Sequence, residues 1–221
     1  MAEGVLVRVG VVDSGYPMHL ADRVLHSRVF VQDGVGRDVQ GHGSRVMDAI
    51  ALQAPCARFC VAQVFGAQLR TDGDTVANAL HWVIDQGAAV VNLSLGVRQD
   101  YPALRAVCER ALAQGCVLLA SAPARGGAVF PASYPGVIRV MGDARCGPGQ
   151  HSALGLPHAD FGACVLPPDG DRRHAGASMA SAHLAGRVAA WCAAGLTPRL
   201  DAVWQALVNQ ADFRGPERRT G

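Results

Sequence analysis

Short apolar runs alternate along this chain with longer amphipathic stretches. Val5 to Val12 is apolar except for Arg8 and Gly10, and it ends in Asp13-Ser14-Gly15. Nearly continuous apolar strands of this kind belong to parallel sheets covered on both faces. A polar loop over 31–41 follows, and 43–52 has a helical pattern that opens just after His42. Cys60 to Phe65 reads as a second strand. Asp72 to Gln86 reads as a helix, with Asp74 or Thr71 as its cap and Val76, Leu80, Val83 and Ile84 as its apolar face. Ala89 to Leu93 is a third strand, Tyr101 to Gln114 a helix closed by Gly115, and Cys116 to Ala120 a fourth strand. Val137 to Met141 is a fifth. The stretch 150–174 is loop-rich, with a short strand at Ala163 to Leu166. Ala177 to Ala193 is a helix rich in small residues, and Pro198 to Gln210 is the last helix. Strands alternating with helical patterns predict an α/β fold with a mostly parallel central sheet and helices on both faces. Ligands of such sheets bind at the C-terminal ends of the strands. Asp13, Ser94-Leu95-Gly96 and Ser121 all fall there.

Composition narrows the class. The chain has 221 residues, 50% of them hydrophobic and 17% charged, with a net charge of +2. This suits one compact domain over 1–221 with a large core, and it excludes disorder. No basic run is long enough to form a nucleic-acid stripe. Arg214, Arg218 and Arg219 lie in a polar tail, where a frayed terminus explains them. No apolar run reaches membrane-spanning length and no secretory signal opens the chain. The seven cysteines are an odd, scattered set, which points to reduced thiols in the cytoplasm rather than a disulfide framework. A metal site is not expected. Cys56 and Cys60 lack a second close pair to complete a zinc set, although His151, His158 and His174 are candidates to converge. No glycine-rich phosphate loop follows the first strand, and no cofactor is expected.

Three segments carry chemistry. Val11-Val12-Asp13-Ser14-Gly15 places a carboxylate at a strand end. Gly41-His42-Gly43-Ser44 places an imidazole between glycines at a helix start. Gly176-Ala177-Ser178-Met179-Ala180-Ser181 places a hydroxyl at the start of another helix. Together they supply a nucleophile (Ser178), a general base (His42) and a group that orients the base (Asp13). At a helix N-terminus, the Ser178 backbone N–H also points toward developing negative charge. The chain order Asp, His, Ser is that of subtilisin and differs from those of chymotrypsin and the α/β-hydrolases.

These motifs resemble those of the subtilisin-like (subtilase) serine peptidases over about 5–210. The histidine motif, usually Gly-His-Gly-Thr-His-Val, is Gly41-His42-Gly43-Ser44-Arg45-Val46 here. The serine motif, usually Gly-Thr-Ser-Met-Ala-Ser/Ala-Pro-His-Val-Ala-Gly, is Gly176-Ala177-Ser178-Met179-Ala180-Ser181-Ala182-His183-Leu184-Ala185-Gly186. Val90 to Gly96 is similar to the family's central strand, and Pro131 to Val140 to a further family segment. The resemblance implies a three-layer subtilisin-like sandwich. It implies that Ser94, Leu95 and Gly96 pair with an extended substrate, and that Ala120, Ser121 and Ala122 line its specificity pocket.

One family feature is missing. An Asn after the fourth predicted strand normally donates to the oxyanion. Its position falls at about Ala124 in the run Ala120 to Gly127, and neither Pro123 nor Ala124 has a side-chain donor. Three readings follow: a slow enzyme, a substitute donor in Arg125 or Ser121, or a non-catalytic relative that only binds peptide. Only twelve residues precede Asp13, so the expectation is a minimal peptidase without a pro-domain. Inside a cell, such an enzyme needs narrow specificity. The chain is similar in this to maturation peptidases that remove a leader from one precursor peptide or small subunit. The protease that processes the γ subunit of quinohemoprotein amine dehydrogenase is one, and leader peptidases of other modified-peptide pathways are the rivals. The partners this implies are a leader-bearing precursor and a modifying enzyme of the same pathway, with neither nucleic acid nor membrane.

Overall fold

The computed structural model describes residues 6–125 and 127–217. Val5, at the start of the first predicted strand, Gly126, and Arg218 and Arg219 of the polar tail lie outside the described residues. The strands are β1 (Arg8–Asp13), β2 (Val24–Val29), β3 (Arg58–Gln63), β4 (Val90–Leu93), β5 (Val117–Ser121), β6 (Ile138–Gly142), β7 (His151–Leu156), β8 (Ala159–Ala163) and β9 (Phe213–Arg214). The helices are α1 (His42–Gln53), α2 (Gly73–Asp85), α3 (Pro102–Ala113), α4 (Ala177–Ala193) and α5 (Leu200–Asn209). They form one nine-stranded sheet in the order β2-β3-β1-β4-β5-β6-β8-β7-β9. Every described pairing is parallel except β7 with β8. The expected α/β sandwich, mostly parallel with helices on both faces, is what the chain forms.

Alternation along the strands builds two cores. Val9 and Val11 of β1 and Val117 and Leu119 of β5 pack with α1, α4 and α5 through Val46, Met47, Ile50, Leu184 and Leu207. Val12, Leu118 and Ala120 face the other way, onto Val76, Leu80 and Val83 of α2 and Leu104 of α3. Period-2 strands read by period-3.6 helices produce this division. Two glycines let the layers approach. A Cβ on Gly10 would sit 2.2 Å from Val83 Cγ1, and one on Gly186 would sit 2.7 Å from the Ile50 carbonyl. The small-residue face of α4 thus lies directly on the backbone of α1.

Several local expectations are corrected. The cap of α2 is Asp72, which accepts from Thr75 N at 2.8 Å, rather than Asp74 or Thr71. Strand β2 was not expected, because five of its six residues are exposed and no period marks them. The loop-rich stretch holds the β7–β8 hairpin. Its second strand ends at Ala163, where the predicted strand begins. Cys164, which follows, is buried but lies outside the strand.

Candidate active site

Asp13 ends β1, in register with Gln63 of β3, and is fully buried. Its Oδ1 accepts from Ser14 N at 2.7 Å, from Ser14 Oγ at 3.2 Å and from His42 Nδ1 at 2.7 Å, whereas Oδ2 is buried without a partner. His42 is the first residue of α1, reached through Gly41 in the left-handed region at φ +77°. With Nδ1–H committed to Asp13, the other ring nitrogen, Nε2, holds a lone pair. Burial pushes the His42 pKa down. The adjoining Asp13 charge and hydrogen bond, helped by Asp38, more than reverse this, and the net shift is upward.

A second carboxylate fastens this corner. Asp38 Oδ1 accepts from Ser14 Oγ, Gln40 N and Gly41 N, each at 2.9 Å. Its Oδ2 accepts from Ser44 N and Ser44 Oγ, each at 2.7 Å. Asp38 therefore takes up orphan donors at the start of α1, as a capping residue does. Burial raises its pKa, but the Ser44, Ser14 and Gly41 donors outweigh burial and hold the carboxyl below its ordinary range. The single Ser14 hydroxyl proton lies between two carboxylates, nearer Asp38, while its oxygen accepts from Gly43 N at 2.8 Å. Gln63 completes the support: Nε2 donates to Ser14 O at 2.9 Å and Oε1 accepts from Gly36 N at 2.6 Å.

Ser178 is the second residue of α4, where backbone N–H groups lack helical acceptors. Its Oγ donates to Ser94 O at 3.2 Å, and Ser94 Oγ donates back to Ser178 O at 2.9 Å. Behind them, Asn92 Nδ2 donates to Ser94 Oγ at 2.8 Å and Asn92 Oδ1 accepts from Ser181 Oγ at 2.7 Å. This relay pins the first turn of α4 to the end of β4. Ser94, Leu95 and Gly96 line an open cleft of about 460 Å³ together with His42. Of the three expected residues His42 lines this cleft, Asp13 is buried and bonded to its imidazole, and Ser178 is bonded to Ser94, which also lines it. In this state the Ser178 hydroxyl is directed at Ser94, and among the described residues no hydrogen bond joins it to His42.

The other expected residues are spread more widely. Ala120 is fully buried in the core under α2 and α3, and Ser121 ends β5 partly exposed. Ala122 lines a cavity of about 240 Å³ with Pro123 and Val129. Arg125 lines an adjoining cavity of about 560 Å³ with Arg98, which shares Pro123 and Val129 with the first. A further cavity of about 620 Å³, between the end of α3 and the start of α5, involves none of these residues. His151 is buried between Trp191 and Phe161, His158 lines the cavity that Ala122 lines, and His174 lies against Arg45, and among the described residues no three metal-ligating side chains come together. Cys60 is buried and its pKa is pushed up to about 11, which suits a structural thiol. Among the described residues no helix is long and apolar enough to cross a membrane.

Asp38, Gln63, Asn92 and Ser181 were not foreseen as parts of the site. Only Asp38 left a signal, an acidic side chain shortly before a glycine-framed helix start.

The Subtilase family (Peptidase_S8) matches residues 7–153, which hold Asp13 and His42 but end before Ser178. Subtilisin DY of Bacillus licheniformis is 27% identical over 210 residues, covering 85% of this chain and 77% of that protein. The major intracellular serine protease of Bacillus subtilis is 23% identical over 228 residues, covering 85% and 68%. The fold superimposes on the epidermin leader peptide processing serine protease of Staphylococcus aureus with a TM-score of 0.73 at 18% identity, over 91% of this chain and 69% of that one. It superimposes on a lanthipeptide protease with a TM-score of 0.71 at 16% identity, over 91% and 78%. The chain belongs to the subtilase family and is a subtilisin-type serine protease.

Proposed function

We propose that this protein is a leader peptidase, a serine endopeptidase that removes the leader from a precursor peptide of a modified-peptide pathway, with Asp13, His42 and Ser178 as its triad. The observation that carries this reading is the 2.7 Å bond from His42 Nδ1 to buried Asp13, beside a strand end to which Ser178 is docked. The likeness to two leader-processing or lanthipeptide proteases supports the substrate class. A leader-bearing small enzyme subunit, such as the γ subunit of quinohemoprotein amine dehydrogenase, is a narrower candidate within it. All seven cysteines are unpaired, which supports a reducing compartment such as the cytoplasm, where a modifying enzyme of the same pathway would supply the precursor.

In this mechanism the Ser178 hydroxyl swings from Ser94 toward His42, whose Nε2 takes its proton as Oγ attacks the scissile carbonyl. Asp13 holds the imidazole in that tautomer and stabilises its cation. His42 then passes the proton to the leaving amine as the C–N bond breaks, leaving an acyl ester on Ser178. Water, deprotonated by His42, hydrolyses the ester and restores the hydroxyl. The Ser178 backbone N–H stabilises the oxyanion, with Ser121 as the candidate side-chain donor. Arg125, the other candidate, opens instead onto the cavity it shares with Arg98. A hole without the family's amide turns over slowly.

Mass spectrometry of candidate precursors, incubated with the parent protein and with Ser178→Ala, tests the proposal. One defined cut that vanishes in the variant is expected. A cut that persists in Ser178→Ala, or equal cutting of casein and every precursor, overturns it.

A further inference from the structure

Exposed arginines flank the strand end at which a substrate peptide would lie. β4 pairs with β1 on one side and β5 on the other, and its extension through Leu95 and Gly96 forms no hydrogen bond with another described segment until Val97 meets Phe130. The backbone groups of Leu95 and Gly96 are therefore open to an extended peptide. The segment after β3 borders one side and contributes Arg70 to the cleft that holds His42. The segment after β5 borders the other. There Val129 lies against Gly96, so that a Cβ on Gly96 would be 3.2 Å from Val129 Cβ. Val129 also lines the cavity that Arg98 and Arg125 share.

No aspartate or glutamate lines either space. Arg70, Arg98 and Arg125 are exposed and, like several other arginines, form no ion pair among the described residues. All 20 basic side chains of the chain are arginines, whose planar fork accepts a carboxylate in two parallel hydrogen bonds. A peptide lying on Leu95 and Gly96 passes between the cleft that Arg70 lines and the cavity that Arg98 and Arg125 line.

We infer that this protease reads acidic side chains of an extended peptide, with Arg98 and Arg125 as one carboxylate subsite and Arg70 as another. The inference rests on the leader-peptidase reading and names the chemistry of the segment it grips. A peptide is the occupant favoured over a nucleic acid because the arginines flank an open β-edge beside His42 rather than forming a continuous stripe.

The test is binding, measured by fluorescence anisotropy on the full chain carrying Ser178→Ala. The probes are short fluorescein-labelled alanine–serine peptides that carry either two glutamates, two glutamines or two lysines. The glutamate peptide is expected to bind about 10-fold more tightly than the glutamine peptide at low salt, with the gap closing as salt is added. Arg98→Glu and Arg125→Glu are expected to abolish that gap and to favour the lysine peptide, an exchange of preference that loss of folding does not produce. Equal binding of the three peptides overturns the inference. So does a glutamate preference unchanged in both variants, or displacement of the glutamate peptide by a short RNA more readily than by its unlabelled self. A protein that binds glutamate peptides but cuts no precursor refutes leader processing alone. One that cuts a precursor yet shows no acid preference refutes only the arginine subsites.

Discussion

Asp38→Asn tests how the base is held. The carboxylate accepts five hydrogen bonds, two of them from Ser44 and three from Ser14, Gln40 and Gly41. Asparagine keeps one oxygen and turns the other corner into an NH2 donor. In one orientation that donor faces Ser44 N–H. In the flipped one it faces the N–H groups of Gln40 and Gly41. At least one backbone donor loses its acceptor either way, and the remaining bonds lose their charge. Bonds to charged groups contribute about 1.5–3 kcal/mol each, so the folded state should lose about 3 kcal/mol. For a chain of this size that lowers Tm by about 6–12 °C. Asp38 has a lowered pKa when folded, so its share of stability is present above the ordinary value of 3.8 and disappears as pH falls through the folded value. The gap between parent and variant should therefore close in acid. A second readout is independent of folding. Asp38 is one of the charges that raise the His42 pKa. Without it the imidazole loses its proton at lower pH, and the acid limb of kcat/KM moves down. Thermal melts across pH and a pH–rate profile on any cleaved peptide measure both. A variant with unchanged Tm and an unchanged acid limb refutes this account of Asp38. A lower Tm with an unmoved limb refutes its electrostatic half.

Three further outcomes follow from the same geometry. Ala124→Asn restores an amide at the family's oxyanion position, and loss of that donor in subtilisin costs about 10²–10³ in turnover. A gain of about 10-fold or more in kcat is expected, and an unchanged kcat would place another donor already in the hole. Gly186→Ala puts a Cβ 2.7 Å from Ile50 O and 2.9 Å from Gln53 Cβ, so forcing α4 off α1 should cost about 1–3 kcal/mol, read as a lower urea midpoint at constant m-value. His183 is buried, with its pKa pushed down by burial against the pull of the Leu166 carbonyl. Because the folded state holds it neutral, stability falls as pH drops below the ordinary value of 6.5 toward the folded value. His183→Gln should flatten the pH dependence of the urea midpoint there, and an unaltered slope would assign that dependence to His151, which is shifted the same way.

The buried strands β1, β3, β4 and β5 and the three chemical motifs were legible in the sequence because their information is local, whereas buried β8, which carries Asp160 and Gly162, has no apolar run and was missed. A buried strand is an apolar run, and a glycine-framed histidine before a helix is visible in a few residues. The scaffold that holds the site was not legible, because its contacts are long-range. Ser181 and Asn92 are 89 residues apart, and Gln63 and Ser14 are 49 apart. Exposed β2 failed for the opposite reason: paired only with β3 along its length, it needs no apolar pattern.

The scaffold also explains which departures from the family pattern are tolerable. Ser44 stands where threonine is usual, yet it keeps the hydroxyl that bonds Asp38 at 2.7 Å, so only a methyl is lost. Arg45 stands where histidine is usual. It donates to the Gly41 carbonyl and contacts His174 at 2.7 Å, which ties the first turn of α1 to the segment leading into Ser178. Its charge lowers the His42 pKa, but Asp13 and Asp38 outweigh it. Ala182 stands where proline is usual and is fully buried within α4, where alanine is the better helix former. Each of these changes leaves the position or proton of His42 or Ser178 supported. Ala124 is different in kind, since alanine has no side-chain donor to offer an oxyanion. In the proposed mechanism the proton-transfer residues are all present, while oxyanion stabilisation falls to the Ser178 backbone N–H and Ser121. In such an enzyme, contacts away from the scissile bond have to supply more of the transition-state binding.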